Sequence, residues 1–86
     1  MYELKFTKLA AKHATLLKSA GQKEKTMELL NIIRDDPYQT TPSYKKLSGN
    51  LSGLYSRRIN VKHRLAYEIK SDYIKIIRMW GHYYDN

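Results

Sequence analysis

The 86-residue sequence predicts an α+β domain of order β-α-α-β-β-β, a four-stranded antiparallel sheet with two N-terminal helices packed on one face. Three observations predict it. The first residues alternate with period two, the next thirty fall into two runs with helical period, and the last third holds three apolar runs separated by short turns.

In Tyr2 to Phe6, Tyr2, Leu4 and Phe6 lie on one side and Glu3 and Lys5 on the other, the pattern of a half-buried strand. Thr7 then suits a helix N-cap. After it Leu9, Ala10, Ala14, Leu16, Leu17 and Ala20 recur at helical spacing until Gly21, a helix stop. A second helix from about Lys23 to Arg34 places Met27, Leu30 and Ile33 on one face and ends before Asp35-Asp36-Pro37. Joined at Gly21, the two form a hairpin. Residues 38–50, YQTTPSYKKLSGN, are rich in turn formers and read as a loop anchored by Leu47. Strands follow at Leu54 to Ile59, His63 to Ile69 and Tyr73 to Trp80, separated by Asn60-Val61-Lys62 and Lys70-Ser71-Asp72.

The length fits a single domain, 1–86, and one this small buries only about 60 to 65% of the surface its unfolded chain exposes. With no cysteine there is neither a disulfide framework nor a thiolate metal site to reinforce that core. No stretch has the apolar run of a signal peptide or of a membrane span, so a cytoplasmic protein is expected.

Sixteen Lys and Arg against eight Asp and Glu give a net charge of +8, which suits a polyanionic partner. Four of the five arginines, Arg57, Arg58, Arg64 and Arg78, follow residue 50, and the planar arginine fork grips phosphate through two hydrogen bonds. Period-two geometry sends Leu65, Tyr67 and Ile69 toward the helices and Arg64, Ala66 and Glu68 away from them. In the preceding strand Ser56 and Arg58 fall opposite Tyr55, Arg57 and Ile59. Arg58 and Arg64 are thus expected to share one sheet face as a phosphate-binding trough bordered by a basic loop. Eight tyrosines and Trp80 offer stacking platforms for bases, or simply fill the core of a small sheet. His13, within a helix, and His63, on the core side, read as structural.

The segment NLSGLYSRRINVKHRLAY, Asn50 to Tyr67, resembles the signature region of the YoeB/Txe toxins of the RelE-like superfamily, which serve bacterial type II toxin–antitoxin systems. The Leu-Ser-Gly turn, the Ser-Arg-Arg-Ile strand and the His-Arg-Leu-x-Tyr strand stand in that family's order, and Gly81-His82-Tyr83 resembles its C-terminal His-Tyr. The resemblance implies a microbial-RNase-like fold and a ribosome-dependent mRNA endoribonuclease, an mRNA interferase that cuts mRNA in the A site without metal or other cofactor. In that chemistry a 2′-hydroxyl attacks the adjacent phosphorus and the 5′-oxygen leaves, so it needs a base, cationic donors around the phosphorane, and an acid. The resemblance assigns Arg64 to the phosphorane, His82 to the acid, Tyr83 to substrate positioning, and Arg58, with Lys46 and Arg57 as further candidates, to RNA phosphate. For Arg57, on the helix-facing side, an ion pair or an antitoxin contact is an equal expectation.

The chain departs from the pattern at one place. Most members carry a glutamate base two residues before the loop leucine; here the leucine is Leu47 and the position holds Lys45. Only about one ordinary lysine in a few thousand is neutral at pH 7. Three readings stand: lysine-based chemistry as in RelE toxins, with Lys45 crowded by Lys46 and Arg64; another carboxylate, Glu68, as base; or a catalytically weakened or inactive form that binds antitoxin and ribosome and acts as operon co-repressor. The partners implied are the ribosome with its mRNA, a YefM/Axe-like antitoxin whose disordered segment folds on binding, and operator DNA through the antitoxin complex alone. Toxin dimers occur in the family, so a homodimer is a further expectation.

Overall fold

The computed structural model describes residues 1–40 and 43–81. In chain order its elements are β1 (Glu3–Phe6), α1 (Lys8–Ser19), α2 (Lys23–Asp35), β2 (Lys45–Lys46), a 3-10 turn (Gly49–Leu51), β3 (Leu54–Arg58), β4 (Arg64–Ile69) and β5 (Tyr73–Arg78).

Thr7 caps α1 as expected. Its Oγ1 accepts the Ala10 N–H at 3.0 Å and its hydroxyl donates to the Ile77 carbonyl at 2.7 Å, so one side chain starts the helix and ties it to the sheet. The far end of α1 is a two-bond αL stop: Gly21, at φ +75°, donates to the Lys18 carbonyl, and Gln22 donates to that of Leu17. The helix seats on the sheet through Ala10, His13 and Leu17, an i, i+3, i+7 stripe. Leu9, Ala14 and Leu16, expected on the apolar face, flank that stripe and stay exposed. In α2 the buried side chains are Thr26, Leu29, Leu30 and Ile33, whereas Met27, expected among them, is 45% exposed.

The sheet corrects the expected count and direction: it has five strands, in the order β1-β5-β4-β3-β2, and it is mixed. Two residues cannot display an alternation, so β2 was invisible inside the loop; it pairs antiparallel with β3 through Lys45↔Ser56 and Lys46↔Tyr55. At the other edge β1 runs parallel to β5, with Glu3↔Tyr73 through Phe6↔Ile76 in register. A parallel pair needs a long crossover, which everything from α1 to β4 supplies. The β3-β4-β5 meander is antiparallel as predicted, and its register to β5 shifts between Ala66 and Tyr67. Ile77 is the residue that register skips, and its carbonyl is the one that accepts the Thr7 hydroxyl.

The core lies between the helices and one sheet face, where Leu17, Ile33, Leu65, Tyr67, Ile74, Ile76 and Met79 are essentially fully buried. Each aliphatic member contributes about 1.5 to 3 kcal/mol by leaving water. Leu47, the expected anchor of the loop, is buried too. His13 and His63 are both buried, as read. The Met79 N–H donates to His13 Nδ1 at 3.0 Å, and the Gly81 N–H donates to His63 Nδ1 at 3.0 Å while that ring stacks on Trp80 at 3.9 Å.

Candidate functional site

Strand register alone assembles a basic surface. Arg58 lies directly across from Arg64, Ser56 across from Ala66, and Lys45 across from Ser56, so Lys45, Ser56, Arg58, Arg64 and Ala66 share one face of β2-β3-β4. It is the face opposite Leu65 and Tyr67, as the alternation predicts. The small Ser56 lines the cavity between the cations, and Ala66 across from it is buried. Two arginines set opposite each other repel, an arrangement suited to receiving a polyanion.

The surface deepens into a cavity of about 490 Å³ lined by Lys25, Ser43, Tyr44, Lys45, Ser56, Arg58, Ile59 and Arg64. Four of these described lining residues are cationic and none is acidic. Lys25 and Tyr44 were not anticipated. Lys25 belongs to the exposed side of α2, and it lines the cavity together with Arg58 of β3. Tyr44 precedes β2 and turns toward the helical side, where its ring meets Tyr55 edge-on at 5.4 Å.

The remaining expected residues divide. Lys46 points the other way from Lys45: its cross-strand partner is Tyr55, and with Tyr38, Leu47 and Tyr55 it lines a separate hollow of about 320 Å³. Arg57 is 1% exposed. Its Nε donates to the Tyr67 hydroxyl at 3.0 Å and its Nη2 to the carbonyls of Pro37 at 3.0 Å and Gln39 at 2.6 Å. The guanidinium is thus turned into the protein and away from the trough, held by the Tyr67 hydroxyl and two backbone carbonyls. Of the two cations expected to crowd Lys45, Lys46 lies on the opposite sheet face and Arg64 shares the cavity. Glu68 forms an ion pair with Lys70 at 3.2 Å and is not among the residues lining the cavity.

His82 and Tyr83 lie outside the described residues. The residue before them is tied to the site: the Gly81 carbonyl accepts the Arg64 N–H at 3.1 Å, alongside the bond from the Gly81 N–H to His63. Among the described residues no three His, Cys, Asp or Glu side chains converge on a point, so none offers a ready metal site. No described helix is long and apolar enough to cross a membrane.

Comparison with known proteins gives consistent results. The toxin YoeB of Synechocystis is 42% identical over 55 residues, 64% of this chain and 64% of that protein, so the match spans just under two thirds of the relative's length. The toxin YoeB of Escherichia coli K12 is 37% identical over 60 residues, 70% of this chain and 71% of that one. Among solved structures, the YoeB dimer of Staphylococcus aureus superposes with a TM-score of 0.82 at 32% identity, covering 95% of this chain and 98% of that one. The YoeB of the YoeB-YefM complex of the same organism gives 0.80 at 32% identity, with 96% and 99% covered. Escherichia coli YafQ, at 11% identity and a TM-score of 0.82, shares the fold alone. The model of the YoeB-like toxin of bacterial type II toxin–antitoxin systems matches residues 8–83, and the chain belongs to that family.

Proposed function

We propose that this chain is the toxin of a toxin–antitoxin module and acts as a ribosome-dependent mRNA endoribonuclease of low intrinsic turnover. The observation that carries the reading is the convergence of Lys25, Lys45, Arg58 and Arg64 on one cavity without a carboxylate among its described lining residues. Such a site binds and stabilises phosphate well and accepts protons poorly.

In this reading Arg64, half-buried on β4, donates to the non-bridging oxygens as the phosphorane forms, where each preorganised donor is worth about 2.7 to 4 kcal/mol. Arg58, exposed across from it, holds the neighbouring phosphate, and Lys25 and Lys45 add charge to the trough. His82 donates the proton to the departing 5′-oxygen, because imidazole titrates near neutrality, and Tyr83 positions the substrate. The bonding of Gly81 to the backbone of Arg64 supports both roles, since it fixes the chain at β4 one residue before His82. No metal takes part.

The proton acceptor is where the site falls short. Lys45 occupies the glutamate position and is exposed, and Glu68 is engaged by Lys70. Loss of a general base costs about 10² to 10⁴ in rate, so cleavage is slow while binding is retained. Lys45→Glu is expected to raise translation-dependent mRNA cleavage at least about tenfold, with products ending in 2′,3′-cyclic or 3′-phosphate. A fall on that substitution would instead favour lysine-based chemistry. Absence of cleavage by both forms would leave the chain a binding module that acts as co-repressor.

For partners, the Staphylococcus aureus YoeB-YefM complex and YoeB dimer support a YefM-like antitoxin and self-association. The net charge of +8 suits the ribosome and its mRNA in a bacterial cytoplasm. Operator DNA is reached only through the antitoxin.

A further inference from the structure

The buried Arg57 has a consequence for the site it does not line. Between α2 and β2 the chain must travel from Asp35 to Lys45 with little regular structure to hold it. Pro37 and Gln39, before the gap in the described residues, place their carbonyls on the Arg57 guanidinium; Tyr44, after the gap, places its ring 5.1 Å from the same group. Tyr67 completes the clamp, because its hydroxyl accepts from Arg57 Nε and donates to the Pro37 carbonyl at 2.9 Å. A planar fork spreads its donors over several ångströms while its face meets an aromatic ring, whereas an ammonium gathers its three donors on one atom. Ser43, Tyr44, whose ring also meets Tyr55, and Lys45 are the three described residues this segment delivers to the cavity wall.

We propose that Arg57, with Tyr67, is a positioning residue that pins the α2–β2 segment from both sides and so sets Tyr44 and Lys45 in the trough. The inference deepens the nuclease reading above and rests on it for the effect on cleavage. Because Tyr67 is a core residue of β4, the same strand that carries Arg64 also fixes the opposite wall of the cavity. Arg57 touches no substrate in this account.

The test uses Arg57→Lys, which keeps the charge and stem but loses the fork, and Tyr67→Phe, which keeps the ring but loses the hydroxyl. Ile74→Val, a one-methylene trim of the β5 core, is the control for general loosening. Hydrogen exchange resolved by mass spectrometry is expected to quicken about tenfold across residues 37–46 in the first two variants, relative to the rest of each chain, and to show no such local excess in Ile74→Val. In parallel, kcat for cleavage of mRNA on the ribosome is expected to fall about tenfold in both clamp variants while KM for ribosomes changes less than about twofold. Unchanged relative exchange across 37–46 overturns the clamp whatever the activity. Local loosening with wild-type kcat overturns the positioning role. Local loosening in a protein whose wild type never cleaves supports the clamp and overturns the nuclease reading instead.

Discussion

Replacing Lys25 with Gln tests whether the trough, rather than the overall charge, binds RNA. The four cations lining the cavity, Lys25, Lys45, Arg58 and Arg64, come from α2, β2, β3 and β4 and face one volume. If each neutralises one phosphate of a single strand, log K for an uncleavable oligoribonucleotide falls with log[salt] at a slope of about −2.8, at about −0.7 per phosphate. Raising salt from about 50 to 200 mM then weakens binding about 50-fold. Lys25→Gln reduces the slope magnitude by about 0.7, whereas Lys46→Gln, on the opposite sheet face, removes the same charge and leaves the slope unchanged. Fluorescence anisotropy of a labelled oligoribonucleotide across a salt series measures both. Equal changes in the two variants would refute the assignment of the trough and show that binding follows net charge.

Two predictions concern the scaffold. Thr7→Ala removes both the Ala10 cap and the bond to Ile77, and is expected to cost about 1 to 2 kcal/mol in urea unfolding, more than a cap alone on an isolated helix. The His13 pKa is lowered from the ordinary imidazole value, first by burial and then by the charge of Arg78, with smaller contributions from Lys12 and His63. The neutral ring also accepts the Met79 N–H. Below the ordinary value of about 6.5 the unfolded chain takes up a proton that the folded one resists, so stability is full above that pH and declines as pH falls toward the lowered folded value. Thermal melts from pH 7.5 to 5 should show a loss that His13→Gln reduces; an identical loss in that variant would exclude His13 as its source.

The parts of this molecule legible in the sequence were those governed by local periodicity. Thr7 and Gly21 bounded α1, and the alternation in Arg64 to Ile69 sorted Arg64 from Leu65 and Tyr67. Three features depended on contacts distant in sequence. The two-residue β2 is defined only by its partner β3, and the parallel pairing of β1 is chosen by the free side of β5, with partners such as Glu3 and Tyr73 far apart in the chain. Lys25 joins Arg58 only because α2 packs where it does. Arg57 shows the limit most clearly: alternation correctly put it on the helix-facing side, yet the backbone carbonyls of Pro37 and Gln39 that make burial of a guanidinium tolerable leave no mark in the sequence. Lys46 and Lys45 are adjacent in the chain, and strand geometry separates them to opposite faces.

If the arginine-lined trough is the centre of an RNA-cleaving site, Arg64 is indispensable to cleavage. Primer-extension mapping of a translated mRNA, comparing the wild type with Arg64→Ala, measures this. Discrete translation-dependent cuts by the wild-type protein are expected, reduced at least about a hundredfold in Arg64→Ala, the range for losing a preorganised transition-state donor. Cuts of equal strength in both proteins would contradict it.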